Sequence, residues 1–215
     1  MTVKHHSSPI SLKDRKEDLH IASGAYVHCY RHPDDPNLCI KVITSNPKAA
    51  KRLRTDISYY HKIHSQKKDL SQVSDMLGSC LTDLGPGHLY ECITDADGSV
   101  SKTLGHYITE HPEMLNEVIA ALRELAHYLL KNRILISDLH VKNILLRITP
   151  GTPPTAIIVD GIGDKVAITL LNYIGSLVDA KIARRWGRFL RYLQNKFPDI
   201  HFPDDQLSLE VEKKK

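Results

Sequence analysis

No apolar run in this 215-residue chain approaches the ~20 residues that a membrane-spanning helix needs. The N-terminus, Met1-Thr2-Val3-Lys4-His5-His6-Ser7-Ser8, lacks the apolar core of a signal peptide. The expectation is therefore a cytoplasmic protein with no transmembrane segment. Cysteine is scarce too. Cys29, Cys39, Cys80 and Cys92 show no C-x-x-C spacing, so in a reducing compartment they read as buried thiols rather than a disulfide or zinc framework. Charge of one sign is not in strong excess. The formal net charge is +4, to which Lys13, Arg15 and Lys16 near the start and Lys213-Lys214-Lys215 at the end contribute. That balance does not by itself imply a nucleic-acid partner. His5-His6 is too short for a metal tract, and internal repeats are absent.

What is present describes an ordinary globular protein: 41% apolar and 25% charged residues, enough to bury one substantial core or two small lobes sharing a cleft. Ala25 to Tyr30 and Leu38 to Ile43 are candidate strands, joined by the turn-rich His32-Pro33-Asp34-Asp35-Pro36-Asn37. Ile21-Ala22-Ser23-Gly24 precedes the first of them. Such a small-residue turn lets backbone N–H groups approach phosphates, although an ordinary hairpin turn has the same composition. Lys41 lies among apolar residues and must reach water or find an anion. A helix follows, with Asn46 as its cap and Pro47 in its first turn. Leu53, Ile57, Tyr60 and His64 form its apolar stripe, and Asp56 beside that stripe is expected to pair with Lys41.

His88 to Ile93 reads as a further strand. Thr94-Asp95-Ala96-Asp97-Gly98-Ser99 reads as a linker turn. It is not a calcium loop, since Ile93 and Leu104 stand where ligands would be required. The boundary between a β-rich lobe (1–94) and a helical lobe (95–215) is placed there. Pro112 to Asn132 is the clearest helix, with Leu115, Val118, Ile119, Leu122, Leu125, Ala126 and Leu129 on one face. Ile134-Leu135-Ile136 reads as a short strand. The last helix, about Leu177 to Phe197, turns Ile182, Trp186, Phe189, Leu190, Leu193 and Phe197 inward. Its Lys181, Arg184, Arg185, Arg188 and Arg191 form a basic stripe. A solvated face is the ordinary reading, and an acidic partner — an acidic substrate, a membrane surface or a nucleic acid — is the sharper one.

The stretch richest in chemistry is Asp138-Leu139-His140-Val141-Lys142-Asn143-Ile144-Leu145-Leu146, followed by Ile157-Ile158-Val159-Asp160-Gly161. An Asp, four residues, an Asn and an apolar run, then a second apolar run ending in Asp-Gly, form the polar skeleton of a kinase-type phosphotransfer site. In that scheme Asp138 takes or orients the proton of the attacking hydroxyl. Asn143 and Asp160 hold magnesium on the phosphates of ATP.

These residues together resemble the YrbL family of PhoP regulatory network proteins, which belongs to the protein-kinase-like fold group. The resemblance rests on Gly24 with Cys29-Tyr30, His32-Pro33-Asp34-Asp35, Cys39-Ile40-Lys41, Asp56 with Tyr59-Tyr60 and Asp95-Ala96-Asp97-Gly98. Asn143-Ile144-Leu145, Asp160-Gly161-Ile162-Gly163 and Arg185-Trp186 with Phe189 complete it. It implies an α+β, bilobal protein-kinase-like fold with a small β-rich N-lobe and a mainly helical C-lobe. It also implies a site in which Gly24 and Lys41 approach ATP phosphates, Asp56 holds Lys41, and Asn143 and Asp160 bind magnesium. Asp138-Leu139-His140 with Asn143 is also similar to the loop of aminoglycoside and choline-type kinases, in which His140 would help bind the γ-phosphate or shape the loop.

The departures from that pattern define the competing reading. Ile136-Ser137 replaces the His-Arg that precedes the catalytic Asp of protein kinases, and Ala22 stands where a second glycine is expected. Asp56 is one methylene shorter than the usual Glu, and no A-P-E segment follows Asp160. The leading expectation is an ATP-magnesium-dependent phosphotransferase with an unknown acceptor. The alternative is a pseudokinase, a nucleotide-responsive regulator acting through protein contacts.

Overall fold

Strand β3 (Leu38–Ile43) is the axis of the larger sheet, and the alternation of its side chains divides the interior in two. Ile40 and Val42 face a small apolar cluster with Leu12, Leu19, Tyr30 and Leu89. Cys39 faces the other way, into the main core with Tyr59, Tyr60 and Tyr90. The computed structural model that defines this arrangement describes residues 9–163 and 175–209.

The five-stranded antiparallel sheet runs in the order β1-β2-β3-β5-β4. Its other members are β1 (His20–Ser23), β2 (Val27–Arg31), β4 (Met76–Thr82) and β5 (Gly85–Glu91). Short helix α1 (Lys16–Leu19) leads into it. The expected strand at Leu38–Ile43 is observed with those bounds, while the one before it starts at Val27 rather than Ala25. Ile21, Ala22 and Ser23 belong to β1 itself, so the turn is narrower than their small side chains suggested. Strands β1 and β4 had no clear alternation to announce them; β4 reads Met-Leu-Gly-Ser-Cys-Leu-Thr and leaves Leu77 and Leu81 exposed.

Helix α2 (Ala49–Ser65) buries Tyr59, Tyr60 and Ile63. It begins after Asn46, whose Oδ1 accepts the Lys48 N–H at 2.9 Å, an Asx turn that leads the chain into the helix. The second sheet is three-stranded and antiparallel: β6 (Lys102–Thr103), β7 (Ile144–Arg147) and β8 (Thr155–Ile158). Helix α3 (Leu104–Glu110) follows β6, and the Thr103 hydroxyl accepts the His106 N–H at 3.2 Å as its cap. Helix α4 (Leu115–Lys131) follows a 3₁₀ turn at Pro112–Met114, so Pro112 opens a tighter turn rather than the α-helix. Its buried Val118, Ile119, Leu122, Leu125, Ala126 and Leu129 match the expected face, with Ala121 and Tyr128 added.

Helix α5 (Gly175–Lys196) packs against α4 through Ile182, Trp186, Phe189, Leu190 and Leu193. Trp186 is fully buried, and its indole N–H donates to the Leu207 carbonyl of α6 (Asp204–Leu207) at 2.8 Å. Burying so large a ring with its one polar atom satisfied makes Trp186 an anchor of this end of the molecule. The segment leading into β4 is joined to β8 of the second sheet by main chain. Ser74 N–H donates to Ile158 O at 2.8 Å and Ile158 N–H donates to Gln72 O at 3.0 Å. Among the described residues no helix is long and apolar enough to cross a membrane.

Candidate functional site

The segment from Ile134 to Asn143 is not the strand expected over Ile134-Leu135-Ile136. It forms a single bridge, Ile136 to Ile162, and is otherwise irregular. Its Leu135 carbonyl and Ser137 N–H are satisfied by the Asp160–Gly163 segment instead. Ser137 N–H and Oγ–H both donate to Gly161 O, at 2.6 and 2.8 Å, and Gly163 N–H donates to Leu135 O at 2.9 Å. This close approach requires glycine. Gly161 has φ +76°, and a Cβ there would lie 2.7 Å from Asp138 O. Gly163, at φ +90°, leaves only 2.8 Å between a built Cβ and Tyr59 Cβ. Tyr59 in turn accepts the Leu135 N–H through its hydroxyl at 2.8 Å.

The loop brings Asp138 and Asn143 together. Asn143 Nδ2–H donates to Asp138 O at 3.1 Å and to Asp138 Oδ2 at 3.2 Å. Asn143 O accepts Val159 N–H at 2.9 Å, which sets the loop beside Asp160. One Asp160 oxygen, Oδ1, accepts the N–H of Gly161 at 2.8 Å. Asp138 is exposed, whereas Asn143 and Asp160 are half-buried.

Lys41 reaches across from β3 and donates to Val159 O at 2.5 Å; its ammonium also lies 4.3 Å from the centre of the Tyr90 ring. Burial alone would lower the Lys41 pKa, but the Asp160 charge and then Tyr90 override it, and the ammonium is held charged. The expected ion pair between Lys41 and Asp56 is not formed. Asp56 pairs with Arg52, one helical turn earlier, at 3.9 Å. The shorter side chain of Asp leaves its charge near its own helix. Burial pushes the Asp56 carboxyl up to about 7; Arg52 opposes this, Asp160 reinforces it, and Lys41 is the weakest influence.

His140 is held by the last helix. Its Nδ1 accepts the Lys142 N–H at 3.2 Å, which leaves Nε2 to carry the proton and donate to the Tyr192 hydroxyl at 2.9 Å. Burial lowers the His140 pKa against the raising influence of Asp138, which favours this neutral form. Arg185 is also turned inward, donating to Ile136 O at 2.7 Å. The basic stripe is therefore divided. Arg184, Arg188 and Arg191 remain exposed, while Arg185 and Lys181 are half-buried. Tyr192 and the inward use of Arg185 were not read from the sequence. The i, i+7 spacing of Arg185 and Tyr192, which puts both on one helix face, was the available signal.

A cavity of about 750 Å³ lies against this loop. Gly24, Lys41, Asn143 and Asp160 all line it, with Cys29, Cys39 and Cys92. Asp138, Asp56 and His140 are not among the lining residues; Asp138 is linked to the lining by the bond it accepts from Asn143. Gly24 sits at the turn between β1 and β2, where its N–H donates to Val27 O at 2.8 Å. A Cβ there would meet only ordinary contact, at 3.6 Å, so local backbone geometry does not demand glycine.

Comparison with known proteins gives a consistent picture. Residues 10–194 match the family model described as PhoP regulatory network protein YrbL. The YrbL protein of Escherichia coli (strain K12) is 29% identical over 177 residues, covering 81% of this chain and 84% of the relative. The YrbL protein of Shigella flexneri matches with the same identity and coverage. The matched region contains Lys41, the Asp138–Asn143 loop, Asp160 and the Arg185-Trp186 pair of the last helix, and the chain belongs to the YrbL family of PhoP regulatory network proteins.

Proposed function

We propose that this chain is a bilobal, kinase-like phosphotransferase that uses ATP and magnesium, with a β-rich lobe over 1–94 and a helical lobe over 95–215. The observation that carries the reading is the common cavity: Lys41 from one sheet and Asn143 and Asp160 from the opposite wall line it together, while Asn143 touches Asp138. Lys41 would neutralise phosphate charge, and Gly24 would lie beside the phosphates. The donor set suits a hard cation. Asn143 uses Nδ2 toward Asp138 and keeps Oδ1, and Asp160 uses Oδ1 toward Gly161 and keeps Oδ2. Magnesium, when bound, would offset charge on the phosphate oxygens.

Asp138 would accept the proton of an acceptor hydroxyl as its oxygen forms a bond to the γ-phosphorus and the bond to the ADP oxygen breaks. His140, neutral and fixed by Tyr192, would donate no charge of its own and would shape the loop around that step. Positioning and charge neutralisation would supply most of the rate. The exposed Arg184, Arg188 and Arg191 could engage an acidic partner.

One observation favours the second reading, a pseudokinase regulator: Asp56 pairs with Arg52 and leaves Lys41 to Val159 and Asp160. A thermal-shift titration with ATP, with and without magnesium, followed by an ATP-turnover assay, separates the two. Magnesium-dependent stabilisation lost in Asp160→Asn, with turnover lost in Asp138→Asn while binding persists, is the result expected of the enzyme. Binding without turnover in the native chain selects the regulator, and no nucleotide stabilisation at all removes both.

A further inference from the structure

Three of the four cysteines gather on one wall of the cavity, and nothing in the phosphotransfer reading uses them. Cys29 on β2 is paired in register with Lys41 of β3, and Arg31 with Cys39. Cys29 and Cys39 are therefore diagonal neighbours on the same face of the sheet. Cys92 lies just past the end of β5, and its N–H donates to Asn37 O at 2.8 Å, which places it diagonal to Cys39 on the other side. All three line the cavity. Cys39 is at the centre and buried, its thiol donating to Glu91 O at 3.8 Å; Cys29 is half-buried and lines the cavity. Cys80 is apart from them, on β4 beside the smaller apolar cluster.

We propose that Cys29 and Cys39 form a thiol-oxidation site in the cavity wall, at which a peroxide-class oxidant is reduced and the two sulfurs become a disulfide. The Cys29 sulfur attacks the peroxide, its S–O bond forming as the O–O bond breaks and the alkoxide or hydroxide leaves. The Cys39 sulfur then attacks the resulting sulfenic acid. The S–S bond forms, the S–O bond breaks, and hydroxide departs with the Cys39 proton as water. Two thiols are oxidised by two electrons and one peroxide is reduced.

The surroundings suit this order of events. The Cys29 thiol is lowered, first by its hydrogen bond with Cys39, against burial, and further by the Lys41 charge. The Cys39 thiol is raised, by hydrogen bonding with Cys29 and Cys92 and then by burial, so it stays protonated until a sulfenic acid is beside it. Cys80 is an internal control, since burial pushes its thiol up to about 11 and no other cysteine adjoins it. Diagonal partners on antiparallel strands sit about 7–8 Å apart, beyond the usual disulfide span, so closure needs backbone movement in the wall that carries Lys41. The site is not a metal centre: among the described residues no group of three or more His, Cys, Asp or Glu is disposed to hold an ion.

The test needs no nucleotide. The reduced full-length chain is treated with stoichiometric hydrogen peroxide, alkylated, and mapped by non-reducing peptide mass spectrometry. A Cys29–Cys39 linked peptide, reversed by dithiothreitol, with Cys80 oxidised about tenfold more slowly than Cys29, is the expected result. In Cys39→Ser, Cys29 should stop at a sulfenic acid that dimedone captures. The inference is overturned if all four thiols stay titratable, if Cys80 oxidises as fast as Cys29, or if the linkage joins other cysteines. Each of those readings is made on the native chain and is independent of whether it binds ATP.

Discussion

The two walls of the cavity are built by different means. The wall from the five-stranded sheet is a regular ladder, and its chemistry is carried by Lys41, Cys29 and Cys39 projecting from ordinary strand backbone, with Cys92 just past the end of β5. The opposite wall combines Lys102 and Thr103 of β6, His106 of α3 and Leu145 of β7 with an irregular loop that carries Asn143. Its loop is fixed by hydrogen bonds to Gly161, by Asn143 folding back on Asp138, and by Arg185 and Tyr192 reaching from α5. Side chains of the first wall are exchangeable in principle without moving the chain. The second wall depends on backbone conformation and on a helix behind it, so its failures should be structural before they are chemical.

The largest test of that contrast removes the support behind the loop. Trp186→Ala empties a fully buried site and should cost about 3–5 kcal/mol in urea unfolding. A loss under about 1 kcal/mol, the size of a surface change, would mean the helix is not the anchor of this wall. Next is a pair of glycines, one on each wall. Gly161→Ala puts a methyl 2.7 Å from Asp138 O at a left-handed φ and should cost about 1–3 kcal/mol. Gly24→Ala meets only an atom at 3.6 Å and should stay within about 0.5 kcal/mol. Equal effects at the two positions would erase the distinction.

A smaller effect should follow from Arg185→Gln, which gives up a charge-assisted bond to Ile136 O and should destabilise by about 1.5 kcal/mol. Hydrogen exchange should rise in Ile134–Ser137 and remain unchanged in β2 and β3. A pH-dependent test concerns the sheet side. The Asp56 carboxyl binds its proton more tightly when folded, at about 7 against 3.8. Its contribution is thus fully present below pH 4 and is lost as pH rises through 7, with a ceiling of about 1.4 kcal/mol per pH unit for one proton. Asp56→Asn should flatten that part of the stability profile between pH 4 and 7. A profile unchanged by the substitution would show that water relieves the buried carboxylate.

The sequence made one wall legible and left the other partly hidden, for the same physical reason. Period-two alternation places Lys41 and Cys39 on one face of β3 without knowledge of any other strand, and the heptad-like face of α4 is equally local. The motif residues Asp138, Asn143 and Asp160 were recognisable by type and order. Their coming together depends on Gly161, whose need for glycine is a tertiary crowding effect. The Lys41–Asp56 pair failed because helical spacing says which side Asp56 faces, and not how far a short carboxyl reaches; Arg52, four residues earlier, was nearer. Tyr192 and Arg185 were masked by the strong basic pattern around them, which invites a solvent-facing reading of every cation in the stripe.

The main-chain pairing of Gln72 and Ser74 with Ile158 has a mechanical consequence. It fastens the segment leading into β4 to the edge strand β8 of the second sheet, and Ser74 lies at the cavity itself. Arg147 of β7 adds a second tie, donating to Glu91 of β5 at 2.8 Å, and Lys41 adds a third at Val159, the residue directly after Ile158. The ammonium is therefore fixed at a seam that main chain and side chains close together.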